Sequence, residues 1–268
     1  MDFPSTPPIE PSPTSKGAAG RPPLRIFLDF DGTLVESNVA VDLVERFADD
    51  GVRVAHEVDE QLHRGEITLR QAWDRQAALL PWDRVPEMTG FVVREIPLRV
   101  GARELIDLLQ KHSVPVVVLS GGLDFYIRAI LDREGLEYPF LSDTSSKGPH
   151  GQLKVEHPHG HATCRQCGIC KAQAIGMPLP VADRTIFIGD GSTDRFAAEV
   201  ADIVFARRRL LQYCQTQGIE CYPFEDFHPV TTQLRAWLEG AQPLPPRRVR
   251  GLAQSICPIS RDLRAAAT

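Results

Sequence analysis

The sequence predicts an α/β protein whose core is a doubly wound parallel sheet, with a helical segment inserted after the first strand. Three observations support this prediction: short continuous apolar runs, amphipathic helical patterns between them, and one long stretch without a strand-like run. Strands that are apolar throughout, rather than alternating, are expected where helices cover both faces of a parallel sheet. The order of strands and helices along the chain therefore favours a doubly wound domain.

Each element is predicted from its own local pattern. Apolar residues recur at helical spacing in the segments Ala102–Leu109 and Leu123–Leu131, and Gly135 marks the predicted end of the second helix. The predicted strands are Arg25–Asp29, Val114–Leu119, Arg184–Gly189 and Asp202–Ala206.

Proline placement and the all-helical stretch predict the domain boundaries. Residues 1–23 and 241–268 contain half of the 22 prolines and no apolar periodicity, which is typical of a disordered N-terminal tail and a flexible C-terminal tail. The prediction assigns residues 24–36 and 98–240 to the core and residues 37–97 to a helical cap. An insert after the first strand would stand over the carboxyl ends of the strands, where open parallel sheets bind ligands.

Composition excludes several classes of protein. The chain has 268 residues, is 43% hydrophobic and carries a net charge of −5. Because the C-terminal tail is basic, residues 24–240 carry about −9, which argues against nucleic acid as a partner. The longest apolar runs are too short to cross a membrane, and the start resembles no secretory signal, so the cytoplasm is the expected location. The sequence gives no indication of oligomeric state.

Three polar clusters follow predicted strands. They are Asp29-Phe30-Asp31-Gly32-Thr33-Leu34, Ser120-Gly121-Gly122 and Gly189-Asp190-Gly191-Ser192-Thr193-Asp194. Each cluster alone is compatible with an ordinary turn. Together they would bring four carboxylates to one edge of the sheet, where they would repel each other unless a cation lay among them. Oxygen ligands favour Mg²⁺, so the pattern predicts a magnesium site.

These motifs resemble those of the haloacid dehalogenase superfamily of phosphatases, in the branch that includes the phosphoserine phosphatases. The resemblance covers about residues 24–230. It implies a Rossmann-like core with a helical cap, a Mg²⁺ cofactor, and hydrolysis of a small phosphorylated metabolite through an aspartyl-phosphate.

The resemblance also implies roles for individual residues. Asp29 would be the nucleophile and Asp31 the general acid and base, and both would bind Mg²⁺ together with Asp190, Asp31 through its backbone carbonyl. Ser120, Gly121 and Lys171 would bind the phosphoryl group. The supporting residues would be Thr33 and Asp194. The family's lysine could also be Lys147 or Lys154, but both lie in a polar, hairpin-like stretch, whereas Lys171 opens a predicted helix.

Further segments resemble the methionine-salvage phosphatases within this branch: Ser120–Phe125, Phe205–Arg207, Tyr222–Phe227 and the cysteine-rich approach to Lys171. A phosphoserine phosphatase usually has an acid where Asn38 lies, so phosphoserine is a weaker candidate substrate than a phosphorylated keto-pentene. Phosphocholine-type hydrolysis, phosphoryl transfer as in a mutase, and a non-enzymatic scaffold remain alternatives. The aromatic residues Trp73, Phe125 and Tyr126 could shape the substrate pocket or belong to the core.

Three cysteines form the motif Cys164-x-x-Cys167-x-x-Cys170. With a histidine as fourth ligand they could hold a structural Zn²⁺ ion. The candidate histidines are His157, His159 and His161. The alternative is a set of reduced thiols in the segment that positions Lys171. The remaining cysteines, Cys214, Cys221 and Cys257, show no paired spacing and are interpreted as ordinary.

Overall fold

A computed structural model of the chain describes residues 23–176, 184–248 and 257. The strands in these ranges are β1 (Leu24–Asp29), β2 (Val116–Leu123), β3 (Phe140–Lys147), β4 (Leu153–Glu156), β5 (Arg184–Gly189), β6 (Ile203–Ala206) and β7 (Tyr222–Pro223). They form one sheet in the order β4-β3-β2-β1-β5-β6-β7. Neighbouring strands are parallel, except that β3 and β4 are antiparallel. The predicted fold class is confirmed.

Helices cover both faces of this sheet. The helices are α1 (Val39–Phe47), α2 (Gly51–His63), α3 (Leu69–Ala77), α4 (Val85–Glu95), α5 (Ala102–Lys111), α6 (Asp124–Arg133), α7 (Lys171–Ile175), α8 (Arg195–Val200), α9 (Arg208–Gln217) and α10 (Phe227–Leu238). One apolar core packs α5, α6 and α10 against the sheet, and a second packs α7, α8 and α9 against it. The continuous apolar strands predicted from the sequence are therefore buried on both sides.

Several strands differ from their prediction, and the two-residue strand β7 was not predicted. β2 does not end at Leu119 but continues through Ser120-Gly121-Gly122 to Leu123, with an irregular register after Leu119. β3 was missed, because its second half is a run of serine, threonine and lysine without an apolar pattern. The polar hairpin-like stretch is a genuine hairpin of β3 and β4.

Helices α1 to α4 lie between β1 and α5, where the sequence predicts a cap. Their buried residues Leu80, Met88 and Val92 are continuous with the apolar core on one face of the sheet. A smaller apolar cluster of Val58, Ile67 and Ala72 joins α2 to α3. Inserting four helices here places them at the carboxyl end of β1.

The segment after α3 is joined to the β3–β4 hairpin by backbone hydrogen bonds. The Trp82 amide donates to the Gly151 carbonyl at 2.9 Å, and the Leu153 amide donates to the Leu80 carbonyl at 2.7 Å. A second backbone bridge pairs Val35 with Leu98, where the chain leaves and re-enters the core. The helical segment is thus joined to the rest of the chain where it leaves and re-enters the core, and again after α3.

Most of the two predicted tails, residues 1–22, 249–256 and 258–268, lies outside the described residues. Within the described part, the Arg248 guanidinium donates to the Ala201 carbonyl at 2.7 Å, at the end of α8. Cys257 is buried. No helix in the described ranges is long and apolar enough to cross a membrane.

Candidate active site

The three polar clusters meet at one edge of the sheet. β1 pairs with β2 on one side and with β5 on the other, so the carboxyl ends of these strands are adjacent. Asp29 is the last residue of β1, and the chain turns sharply at Gly32, which has φ +71°. A Cβ atom at Gly32 would lie 2.6 Å from Asp190 Oδ2, so only glycine allows this close approach.

Lys171 joins two of these clusters. Its Nζ lies 2.6 Å from Asp29 Oδ1 and 2.7 Å from Asp194 Oδ1, and its side chain is 2% exposed. Burial alone would lower the pKa of Lys171, but Asp194 and Asp29 raise it above its ordinary value, so the ammonium stays charged. Lys147 is exposed, and Lys154 pairs with the exposed Glu156. Of the three candidate lysines, Lys171 is the one that reaches the carboxylates.

The carboxylates around Lys171 carry more negative charge than one ammonium balances. Oxygen atoms of Asp29, Asp190 and Asp194 lie within 4.8 Å of one another, and all three residues are buried. Burial and the neighbouring carboxylates raise the pKa of Asp29, and they raise that of Asp190 to about 6. Within the described ranges this is the group of side chains with the geometry of a metal site. Three crowded hard oxygen donors fit Mg²⁺.

Asp194 and Thr33 hold this group together. Asp194 Oδ2 accepts hydrogen bonds from the amides of Asp190 at 3.0 Å and Gly191 at 2.9 Å. Thr33 Oγ1 donates to Asp29 Oδ2 at 3.0 Å and also lies 3.4 Å from Asp190 Oδ1. Asp194 fixes the turn that carries Asp190, and Thr33 links that turn to the end of β1.

Asp31 has a different environment. Its carboxylate accepts hydrogen bonds from the Val39 amide at 2.9 Å, from Tyr126 Oη at 3.0 Å and from Ser120 Oγ at 3.2 Å. Burial raises the pKa of Asp31 to about 6, although these three donors act in the opposite direction. A carboxyl group with this pKa can give up and take up a proton near neutral pH.

The second motif adds backbone and hydroxyl donors to the site. Ser120 is fully buried, and its Oγ accepts from the Gly122 amide at 3.0 Å. A Cβ atom at Gly122 would lie 1.7 Å from Tyr126 Oη, whereas a Cβ at Gly121 would meet nothing within 4 Å. Gly122 is therefore required for packing, and Gly121 borders open space beside Ser120.

The structure resolves several roles that the sequence left open. Asn38 is the N-cap of α1, where its side chain accepts from the Val41 amide at 3.3 Å. Phe125 and Tyr126 both belong to the apolar core, but Tyr126 also contacts Asp31. Trp73 packs partly buried against the same core. The sequence left Tyr126 between the pocket and the core, and its helical spacing carries no sign that the hydroxyl donates to Asp31.

Of the two interpretations of the cysteine motif, the zinc site gains no support. Cys164, Cys167 and Cys170 are partly buried free thiols, and they are not among the described groups that have ligand atoms close enough to share a metal. Both ring nitrogens of His157 face carboxylates, at 2.8 Å from Asp143 and 2.8 Å from Asp74. His157 is therefore unavailable as a zinc ligand.

The other two candidate histidines also have protein contacts. The Nδ1 atom of His161 accepts from the Cys164 amide at 3.2 Å, and the carbonyl of His159 accepts from the Cys170 amide at 2.9 Å. Burial raises the pKa of the Cys167 thiol to about 12, with a further contribution from Cys170, Cys164 and Cys257. Cys257, interpreted from the sequence as unrelated, thus lies near the motif.

The doubly wound sheet gathers carboxylates, a buried lysine and a serine at one edge, an arrangement suited to binding and transferring a phosphoryl group. Residues 26–199 match the family model for haloacid dehalogenase-like hydrolases. The chain belongs to this family, as the motifs of the sequence predict.

Relatives and solved structures agree with this assignment. The chain is 30% identical over 219 residues to a 2-hydroxy-3-keto-5-methylthiopentenyl-1-phosphate phosphatase of Bacillus cereus, and 31% identical to one of Bacillus thuringiensis. Each match covers 81% of this chain and 98% of the relative. A phosphoserine phosphatase solved as a phospho-aspartyl intermediate analogue has a TM-score of 0.59 at 22% identity, covering 80% of this chain and 99% of that one. This likeness concerns the fold.

Proposed function

We propose that this phosphatase hydrolyses a small phosphorylated metabolite through a phosphoryl group carried on Asp29, with 2-hydroxy-3-keto-5-methylthiopentenyl-1-phosphate as the leading substrate. The observation that carries the proposal is the contact of Lys171 with Asp29 at the edge of the sheet, next to the carboxyl group of Asp31. The substrate is taken from the names of the relatives that align with 81% of this chain.

In the first step an oxygen of Asp29 attacks phosphorus, and the bond from phosphorus to the substrate oxygen breaks. Asp31 gives its proton to the departing alkoxide. In the second step Asp31 takes a proton from water, which attacks the phosphoryl group and releases phosphate and the Asp29 carboxylate. A pKa of about 6 suits Asp31 to both transfers.

The remaining residues bind charge. Lys171, Ser120 Oγ and the Gly121 amide would contact the phosphoryl oxygens. Asp29, Asp190 and the backbone carbonyl of Asp31 would hold Mg²⁺, which when bound neutralises charge between nucleophile and phosphate. Asp194 would keep Lys171 and the Asp190 turn in place, as its three contacts indicate.

The uncharged side chain of Asn38, which caps α1, argues against phosphoserine as the substrate. An amide in this position offers no carboxylate for the amine of phosphoserine. Phosphoserine and phosphocholine are therefore the comparison substrates, and an added alcohol acceptor tests for phosphoryl transfer as in a mutase.

The experiment measures release of phosphate from these substrates and from p-nitrophenyl phosphate, with and without Mg²⁺, for the wild type, Asp29→Asn and Asp74→Asn. Asp74 is a cap carboxylate outside the site and serves as the matched control. We expect Asp29→Asn to lose at least about 1,000-fold in turnover and Asp74→Asn to stay within about threefold. Turnover of the Asp29 variant above about a tenth of the wild-type rate would contradict the proposal.

A further inference from the structure

Two buried arginines from distant parts of the chain converge on the loop that follows β1, residues 30–36 (the β1 loop). Arg99 precedes α5 and Arg207 precedes α9, and they are 7% and 4% exposed. The Nη2 atom of Arg99 and the Nη1 atom of Arg207 both donate to the carbonyl of Gly32, each at 2.8 Å. Neither arginine contacts the carboxylates of the site within hydrogen-bonding distance.

Arg99 alone donates hydrogen bonds to most of the backbone carbonyls of the β1 loop. Its Nε donates to the Thr33 carbonyl at 2.8 Å, and its Nη2 also reaches the carbonyls of Glu36 at 3.3 Å and Val35 at 3.4 Å. Its backbone amide donates to the Leu34 carbonyl at 2.9 Å. The irregular loop cannot pair these buried carbonyls internally, and Arg99 supplies their donors.

The two guanidinium groups are also linked to each other. Arg99 Nη1 donates to the backbone carbonyl of Glu225 at 3.3 Å, and Arg207 Nη2 donates to the carboxylate of Glu225 at 3.2 Å. The guanidinium groups of Arg99 and Arg207 share one carbonyl oxygen and repel each other, and burial makes this repulsion costly. Such a cost would be unexpected if the loop only connected two elements. The planar guanidinium can, however, hold several oxygens in one fixed geometry.

The loop held in this way sets the position of the reacting groups. It contains Asp31 and Thr33 and directly follows Asp29, the last residue of β1, and its turn at Gly32 lies against Asp190. We propose that Arg99 and Arg207 are positioning residues, which fix the β1 loop so that the carboxyl groups of Asp29 and Asp31 are aligned for phosphoryl transfer. This inference rests on the function proposed above.

The test compares Arg99→Ala, Arg99→Lys and Arg207→Ala with Arg133→Ala. Arg133 is the matched control, because its Nη1 donates to the carbonyls of Val93 and Ile96 at 2.8 Å each, at the end of α4. With p-nitrophenyl phosphate and Mg²⁺, we expect kcat of the Arg99 and Arg207 variants to fall about 10- to 100-fold with KM within about threefold. Arg133→Ala should lose thermal stability and keep kcat within about threefold.

Two further measurements separate positioning from general stability. Guanidinium chloride at about 20 mM should restore several-fold activity to Arg99→Ala, whereas the same concentration of sodium chloride should not. Hydrogen exchange of a peptide covering residues 30–37 should be faster in the Arg99 and Arg207 variants than in the wild type or Arg133→Ala. Arg99→Lys, which keeps the charge, should fold even if the alanine variant does not, and should show the same loss of kcat.

The exchange measurement does not depend on turnover, so an inactive wild type would reject the proposed function while leaving the inference testable. Wild-type kcat in both Arg99→Lys and Arg207→Ala, or unchanged exchange of the β1 loop in these variants, would overturn the positioning role.

Discussion

Two buried charged clusters lie near the same edge of the sheet, and they differ in how their charge is balanced. In the first, Asp29, Asp190 and Asp194 surround Lys171, and all four residues are buried. In the second, His157 lies between Asp143 of β3 and Asp74 of α3. The side chain of Asp143 is 1% exposed, but that of Asp74 is 44% exposed.

This difference in charge balance indicates that the first cluster needs a bound cation and the second does not. Three enclosed carboxylates face one buried ammonium and the exposed guanidinium of Arg208, 3.8 Å from Asp190, so they carry an excess of negative charge that a bound cation can neutralise. The second cluster needs no further ion, because Asp74 reaches solvent and Arg70 lies near Asp143. The first cluster is thus suited to binding, and the second connects α3 to β3.

Among the changes that test this comparison, replacing Lys171, the ammonium of the first cluster, should have the largest effect. Lys171→Met leaves the buried carboxylates of Asp29 and Asp194 without their ammonium partner, which should cost about 3–5 kcal/mol in the free energy of unfolding without Mg²⁺. Turnover should fall at least about 100-fold, since the phosphoryl group also loses a donor. Chemical denaturation and phosphate release measure the two effects. Turnover within about tenfold of the wild type would contradict the role of Lys171.

Adding Mg²⁺ should have the next largest effect on stability. At a concentration 100 times its Kd, Mg²⁺ should raise the free energy of unfolding of the wild type by about 2.7 kcal/mol. The variant Asp190→Asn should lose most of this Mg²⁺-dependent gain in stability, because an amide oxygen is a weaker ligand for Mg²⁺ than a carboxylate oxygen. Asp74→Asn, which alters the second cluster, should keep it. Equal Mg²⁺ stabilisation of both variants would show that the ion binds elsewhere.

Replacing His157, the basic group of the second cluster, should change the free energy of unfolding less, and the change should depend on pH. Burial lowers the pKa of His157, but Asp143 and Asp74 raise it above its ordinary value of 6.5. The stabilisation by His157 is therefore complete below pH 6.5 and is lost as the pH rises through the folded-state pKa. We expect His157→Gln to cost about 1–3 kcal/mol at low pH and less at high pH.

Urea denaturation of the wild type and His157→Gln between about pH 6 and 9 measures this difference. Turnover of the variant at saturating substrate should stay within about threefold of the wild type. A difference in stability that grows with pH would mean that His157 is neutral in the folded protein.

The sequence was sufficient to predict the strands whose apolar runs end directly in a polar motif. The apolar runs that form β1 and β5 end in the clusters containing Asp29 and Asp190, so both the strands and their place at the sheet edge could be predicted. The catalytic roles of these residues remain predictions. β3 could not be predicted, because its second half, which pairs with β4, is rich in serine and threonine and has no apolar pattern.

Contacts made by single residues across the fold leave no local signal. Arg99 pairs with a loop more than sixty positions earlier, and His157 joins two carboxylates from separate elements. Arg207 lies in a segment that resembles the family, but nothing in that segment indicates that its partner is Gly32. These residues are defined only once the sheet has brought their elements together.

The central position of β1 also has a consequence for how the chain folds during synthesis. Of the strands in the described ranges, β1 is the first to leave the ribosome, yet its neighbours β2 and β5 begin only at Val116 and Arg184. At about 5–20 residues per second, β1 waits roughly 8 to 30 s for β5. Throughout this time its apolar residues have an unpaired edge, which is a template for pairing with other chains. The chain is therefore most exposed to aggregation, and to chaperone binding, before residue 189 emerges.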